Sequence, residues 1–173
     1  MLLHIGEKIL NSEKIHQEIE EILRMRVRGL SQQEVANKIG VDRTFISRLE
    51  GLGEVRKGGL VALVGFPIKN CDELEQMAHS EGVDYCFLLS EKERWEFVQN
   101  KSGVELLNEI MAMVAVLRKY DSVIIIGSDM RVNLAGNLLD KDVIGVKIGE
   151  SPLADDKYVD VNNIRDIIRQ LHA

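Results

Sequence analysis

The chain is predicted to be an α/β protein in which an all-helical N-terminal helix-turn-helix domain precedes a small doubly wound, mainly parallel α/β sheet domain. Three observations predict this. Before residue 51 the periodic apolar segments follow helical spacing. After residue 59 short strand-like apolar runs alternate with helical patterns, the signature of a parallel sheet. Between them, Gly51-Leu-Gly-Glu-Val-Arg-Lys-Gly-Gly59 combines four glycines with polar residues and loses periodicity. The expected divisions are therefore 1–51, a linker at 52–59, and 60–173.

The first helix is read from Ser12 onward, with Ile15, Ile19, Ile22, Leu23 and Val27 at helical spacing and Arg28-Gly29 as its basic, glycine-capped end. Ser31 stands three residues before Glu34, a capping box that starts a second helix with Val35, Ala36 and Ile39 inward and Gly40 as its stop. Asp42 caps a third helix, Arg43 to Glu50. Ile46 and Leu49 face inward there, and Arg43, Thr44, Ser47 and Arg48 face out. The small Ala36 lets two helices cross closely, and Gly40 takes a backbone conformation costly for other residues.

Charge separates the two parts. The net charge of −6 disfavours nucleic acid when taken whole, but residues 1–59 carry ten basic and nine acidic side chains against twelve and nineteen in residues 60–173. From Leu23 to Gly59 there are eight basic residues, Arg56 and Lys57 among them, and four acidic ones. Such a surface suits phosphates, although mixed charge on helices also serves simple solvation.

The run from Leu30 to Glu50, Leu-Ser-Gln-Gln-Glu-Val-Ala-Asn-Lys-Ile-Gly-Val-Asp-Arg-Thr-Phe-Ile-Ser-Arg-Leu-Glu, resembles the Xre-like family of lambda-repressor and Cro type DNA-binding domains. The likeness spans about 40 residues when the preceding helix is included. Members of that family usually add further helices, whereas here Gly51 and the linker follow at once. The resemblance implies that the helix from Asp42 to Glu50, with Asp42 itself among the DNA-binding residues, enters the major groove of double-stranded DNA. Arg43, Thr44, Ser47 and Arg48 would then lie nearest the base edges, and Gln32 at the start of the second helix would hold a phosphate. Arg43 and Arg48 carry the geometry for bidentate recognition of guanine. Phe45 meets either a thymine methyl or the domain edge. One short recognition helix reads few bases, so a homodimer on a two-fold related site is expected. The competing reading of these helices is a hairpin for protein contacts.

In the second part, Leu60-Val-Ala-Leu-Val-Gly-Phe66 reads as a buried strand, followed by a helix from Cys71 to Ser80 and a strand from Asp84 to Leu89. A long helical stretch runs from Glu91 to Tyr120 with a break point at Ser102-Gly103. Strands at Ser122 to Ile126 and Val143 to Ile148 flank a helix near Arg131 to Leu139. A short strand near Tyr158 to Val161 and a helix from Asn163 to Leu171 complete the pattern. Ligands in such sheets bind beyond the carboxyl ends of the strands. Gly65, Phe66, Ser128, Asp129 and Arg131 are accordingly the candidate contacts for a small-molecule effector, with Arg131 able to pair an anion. Their plainer role is a strand exit with a helix cap.

Catalytic signatures are missing from the sequence. There is no Gly-x-Gly-x-x-Gly, no phosphate-binding Gly-x-x-x-x-Gly-Lys-Ser/Thr and no Gly-x-Ser-x-Gly, and no cofactor is predicted. His4, His16, His79 and His172 lack paired metal spacing, and Cys71 and Cys86 suit two half-buried thiols better than a disulfide or metal half-site. Asp155-Asp156 reads as solvated charge. The longest apolar runs fall far short of the ~20 residues of a membrane span. The opening Met1-Leu2-Leu3 reaches Glu7 and Lys8 too soon for a secretory signal, so a cytoplasmic protein without a membrane partner is expected. The function expected is transcriptional regulation rather than enzymatic catalysis. Two alternatives stand beside it: an α/β enzyme for a small anionic substrate with an autoregulatory head, and a protein-interaction scaffold using the apolar face of the long helix.

Overall fold

The structure, a computed structural model, describes residues 1–54, 57–139 and 141–173. Val55 and Arg56 of the expected linker lie outside the described residues, as does Asp140. The described chain is mixed α/β, with eight helices, a two-stranded antiparallel sheet and a four-stranded parallel sheet. It divides into two compact units, Met1–Glu54 and Val55–Ala173.

The first unit opens on a β-hairpin rather than on a helix. β1 (Leu2–Ile5) pairs antiparallel with β2 (Lys8–Asn11), Ile5 standing opposite Lys8. The two-residue turn between them is Gly6-Glu7, and Gly6 has φ 59°, a left-handed value that favours glycine. This corrects the expectation of an N-terminal region built from helices alone. α1 (Ser12–Val27) follows, its first amides at Glu13 and Lys14 bonded to the Asn11 side chain. Of the five apolar residues expected on its inner face only Ile22 is buried, and Val27 is 89% exposed. The packed stripe is narrower because Met25 and Leu30 close the core instead.

α2 (Gln32–Ile39) begins with the expected capping box. Ser31 Oγ accepts from the Glu34 amide at 3.2 Å, and the Ser31 amide donates to Glu34 Oε2 at 2.7 Å. Gly40 ends it with φ 77°, and both Gly40 N and Val41 N donate to the Ala36 carbonyl. α3 (Arg43–Leu52) runs through Gly51, slightly past its expected end at Glu50. Ile22, Val35, Ala36 and Ile46 form the buried core, with Met25, Leu30, Ile39 and Leu49 around them.

The second unit is built on the parallel order β4-β3-β5-β6, comprising β3 (Val61–Gly65), β4 (Tyr85–Leu88), β5 (Ser122–Ser128) and β6 (Asp142–Gly149). Strand alternation divides its apolar residues between two faces. Val61, Leu63, Ile124 and Ile126 pack with α4 (Cys71–Ser80) and α8 (Val161–His172) through Leu74, Met77, Ile164 and Ile168. Ala62, Val64, Val123 and Ile125 pack with α6 (Gly103–Leu117) and α7 (Asp129–Leu139) through Leu117 and Leu139.

The long helical stretch divides at the expected point. α5 (Glu91–Gln99) ends, and a second capping box, Ser102 with Glu105, starts α6. The strand expected at Tyr158 to Val161 is not formed. Lys157 makes an isolated bridge with Ile68, and the Asn70 side chain takes both backbone groups of Val159 at 3.0 Å, standing in for a neighbouring strand. Asp160 then caps α8 by accepting from the Asn162 amide, so Val161 is helical. Because the chain passes from β3 out to β4 and returns across β3 to β5, the strand order reverses between β3 and β5. The exits of those two strands, at Gly65 and Ser128, therefore flank the crevice where ligands of parallel sheets bind.

Candidate functional site

In the first unit, α3 displays Arg43, Thr44, Ser47 and Arg48 as one exposed surface, with Ile46 fully buried behind them. Residues 43 and 47, like 44 and 48, are one turn apart, so the four side chains form two adjoining rows. Phe45 stands beside them about half exposed. Asp42 is committed to the helix start. Its Oδ1 accepts from the Thr44 amide at 2.7 Å and from Thr44 Oγ1 at 2.6 Å, and these bonds hold its carboxyl below the usual range. The Thr44 hydroxyl, its proton so used, keeps only its acceptor capacity.

Gln32 is less free than expected. Its Nε2 donates to Glu50 Oε2 at 2.7 Å, and its Oε1 accepts from Arg43 Nε at 3.4 Å. Arg26 closes the other side of the network, donating to Glu50 Oε1 and to the Leu30 carbonyl. Bonds from Arg26 and Gln32 hold the Glu50 carboxyl below its ordinary pKa. The chain Arg26, Glu50, Gln32, Arg43 therefore ties α1, α3 and the start of α2 together and steers Arg43. Neither Arg26 nor Glu50 is among the site residues that the sequence suggests; both side chains are 30% exposed, a half-buried pair beside the core. Arg26, Ser31, Gln32, Gln33 and Arg43 border a depression of about 410 Å³ at the N-terminus of α2.

In the second unit the five sequence-predicted residues gather at the β3 and β5 exits but serve different ends. Gly65 is a packing residue, since a Cβ there would lie 2.6 Å from Ile68 Cδ1 and 2.9 Å from Ile126 Cβ. Phe66 is half-buried, and its ring lies under the Arg131 guanidinium at 4.7 Å from Cζ to the centroid. Arg131 also points Nη1 at the Phe66 carbonyl, 3.5 Å away, and makes no ion pair among the described residues. Burial and the neighbouring Arg94 charge push its pKa down, with Glu91 opposing. Asp129, the first residue of α7, ties the loop after β6 to the helix start by accepting the Ser151 amide at 2.9 Å, which lowers its pKa. Ser128 is fully buried, and its Oγ has no hydrogen-bond partner among the described residues.

Glu91, of the strand exit Leu89-Ser90-Glu91, and Arg94 join this cluster, although neither is among the candidate effector contacts. They pair with each other one turn apart on α5, and Trp95 Nε1 donates to the same Glu91 oxygen at 2.9 Å. Asp156, read from the sequence as solvated, instead accepts the Glu91 amide at 2.6 Å and anchors the start of α5. The strand exit at Leu89-Ser90-Glu91 was the available signal; the convergence of α5 on α7 is tertiary. Both cysteines are half-buried, and burial raises Cys71 to about 11 and Cys86 to about 12. No cluster of three metal-ligating side chains occurs among the described residues. Among them, too, no helix is long and apolar enough to cross a membrane. Comparison with known proteins finds no matching family model, no matching curated protein and no matching solved structure.

Proposed function

We propose that the chain is a sequence-specific DNA-binding transcriptional regulator of the helix-turn-helix kind. Its doubly wound α/β unit would pair two protomers and receive a small-molecule effector. The observation that carries the reading is the outer surface of α3, where Arg43, Thr44, Ser47 and Arg48 are all solvent-exposed while Ile46 anchors the helix from behind. Placed in a major groove, that surface offers two guanidinium groups and two hydroxyls to base edges, the chemistry of direct readout. The depression at the N-terminus of α2, bordered by Arg26 and Arg43, suits a backbone phosphate that sets register without reading sequence.

Pairing is supported by α6 and α7, which leave Val104, Leu107, Met111 and Met130 more than half exposed. Monomeric proteins seldom leave apolar residues exposed in numbers on adjacent helices. Two protomers joined there would present two copies of α3 to two-fold related half-sites.

Selection of bound duplexes from a random pool, followed by anisotropy titration of the full chain, tests the proposal. One enriched, two-fold symmetric site is expected. Arg43→Ala and Arg48→Ala should each weaken that site by ~1 to 3 kcal/mol and relax preference at one base pair. No enrichment, or unchanged affinity and preference in both variants, would overturn it.

A further inference from the structure

Residues 1–21, comprising β1, β2 and the first half of α1, form an arm in which no side chain is buried and only Leu10, Ser12 and Ile19 are half-buried. A two-stranded ribbon is marginally stable unless a further strand or a helix packs on it. Yet Leu2, Ile5 and Ile9 are each more than 60% exposed. Along α1 the apolar surface continues as Ile15, Ile19, Leu23 and Val27, one residue in four over ~18 Å, beside the core that Ile22 joins. Ile15, Leu23 and Val27 are exposed.

Charge decides what can cover this surface. Residues 1–21 carry five acidic and two basic side chains, whereas residues 22–28 carry Arg24, Arg26 and Arg28 and no acid. Arg26 is committed to Glu50, and Glu20 binds Arg24 within the helix. Glu18, Glu21 and Arg28 are exposed and make no ion pair among the described residues. Nucleic acid, an anionic lipid surface and the acidic second unit all share the arm's sign and are disfavoured as its cover. The basic end of α1 has the opposite sign, with Leu23 and Val27 exposed beside Arg24 and Arg28. Within one chain the two surfaces cannot meet, because they lie at opposite ends of one helix. Between two chains running in opposite directions they can, and a ridge repeating every four residues interdigitates with a second ridge of the same kind.

We propose that the first units of two chains pair through α1, in opposite directions about a two-fold axis, so that the apolar, acidic arm of each covers the apolar, basic end of the other. The contact is self-complementary, so each favourable juxtaposition is made twice. The hairpin of one protomer gains the helix that a two-stranded ribbon needs, and Glu18 and Glu21 gain guanidinium partners in Arg24 and Arg28. This pairing is separate from the contact between α6 and α7 proposed above and needs no DNA.

The test is sedimentation equilibrium of the full chain carrying Leu107→Glu and Met111→Glu, exposed positions where added charge would open an α6 and α7 contact. This background should still sediment as a dimer. Adding Val27→Glu sets a like charge against the acidic arm and should raise the dissociation constant at least about tenfold. Val27→Lys, equally polar but of complementary sign, should leave it nearly unchanged. Val27 is 89% exposed, so neither substitution disturbs the separate chain, and native helical circular dichroism checks this. Glu18→Lys with Glu21→Lys should also loosen the dimer, and Arg24→Glu with Arg28→Glu added to them should tighten it again. A monomeric background, an unchanged dissociation constant in Val27→Glu, or equal losses in Val27→Glu and Val27→Lys would overturn the proposal. The expected dimer in a chain that enriches no duplex would remove the regulator reading alone.

Discussion

The two units bury their apolar residues over very different sequence distances. In the first, Ile22, Val35, Ala36 and Ile46 lie within one 25-residue stretch, and the core is small. In the second, Leu63, Ile124 and Ile164 meet across a hundred residues, and all five residues of β3 and all seven of β5 are buried. Local encoding leaves the first unit with a narrow packed seam and much apolar surface outside it, including Leu2, Ile5 and Ile9 of the hairpin and Val27 of α1. A chain of that size buries a smaller fraction of its surface on folding and has a thinner margin of stability. The comparison teaches that an exposed helix surface such as that of α3 needs only a small rigid support, whereas a crevice between strand exits needs a layered core to hold those exits in place.

The strongest test of this contrast uses similar cavities in both units. Ile46→Ala and Leu63→Ala each remove a fully buried side chain, at a cost of ~2 to 5 kcal/mol. Ile46→Ala should unfold the first unit and abolish duplex binding while the second unit's thermal transition stays in place. Leu63→Ala should lower the second unit's denaturation midpoint but leave it folded. A single merged transition, shifted equally by both, would show that the units do not fold independently.

The next effect is chemical. Cys71 and Cys86 both lie in the second unit, and the Cys71 thiol donates to the Ile68 carbonyl at 3.2 Å. With the thiols pushed up to about 11 and about 12, the native chain should react with a thiol reagent at pH 8 on the order of a hundredfold more slowly than the unfolded chain. Ile46→Ala should leave that slow rate unchanged, because neither cysteine belongs to the unit it disrupts. Fast labelling in Ile46→Ala would break the comparison.

The smallest expected effect concerns caps. Ser31→Ala removes one side-chain bond at the start of α2 and should cost the first unit ~1 kcal/mol. It should also alter that unit's acid response. Hydrogen bonds to Ser31, to Thr44, and to Arg26 with Gln32 hold Glu34, Asp42 and Glu50 below their ordinary values. A depressed native pKa favours the ionised form, so the contribution is fully present above the unfolded carboxylate values and disappears as pH falls through the native ones. Helical circular dichroism of the first unit should therefore decline from about pH 4.5 downward, less steeply in Ser31→Ala. Identical acid profiles for the two proteins would contradict this role for the Ser31 and Glu34 pair.

Local chemistry made much of the fold readable. Ser31 with Glu34, Gly40, Asp42 and Ser102 with Glu105 mark helix ends through bonds made within four residues, so their sequence positions suffice. The hairpin at Gly6-Glu7 carried an equally local signal, a glycine-led two-residue turn, overshadowed by the helical periodicity that follows. The false strand at Tyr158 to Val161 has a different cause. Its residues suit a strand, but Asn70, 89 residues away, occupies Val159's backbone groups. At the crevice, chain order pointed to the strand exits, and Arg131 was within reach of sequence reasoning. Glu91 stands at another strand exit, Leu89-Ser90-Glu91, but its place beside Arg131, like that of Arg94, comes only with the approach of α5.

From its residues alone this protein declares its helices and the four strands of its parallel sheet, where its glycine-rich divide falls, and which side chains of α3 face away from the apolar stripe. All of these depend on periodicity and on hydrogen bonds that close within a turn. Tertiary structure decided which apolar stripes are covered, that Gln32 and Glu50 work within the protein, and that Arg131 lies against the Phe66 ring with Glu91 and Arg94 nearby. Those outcomes depend on which distant elements meet, and side-chain spacing along one element carries no information about what packs against it.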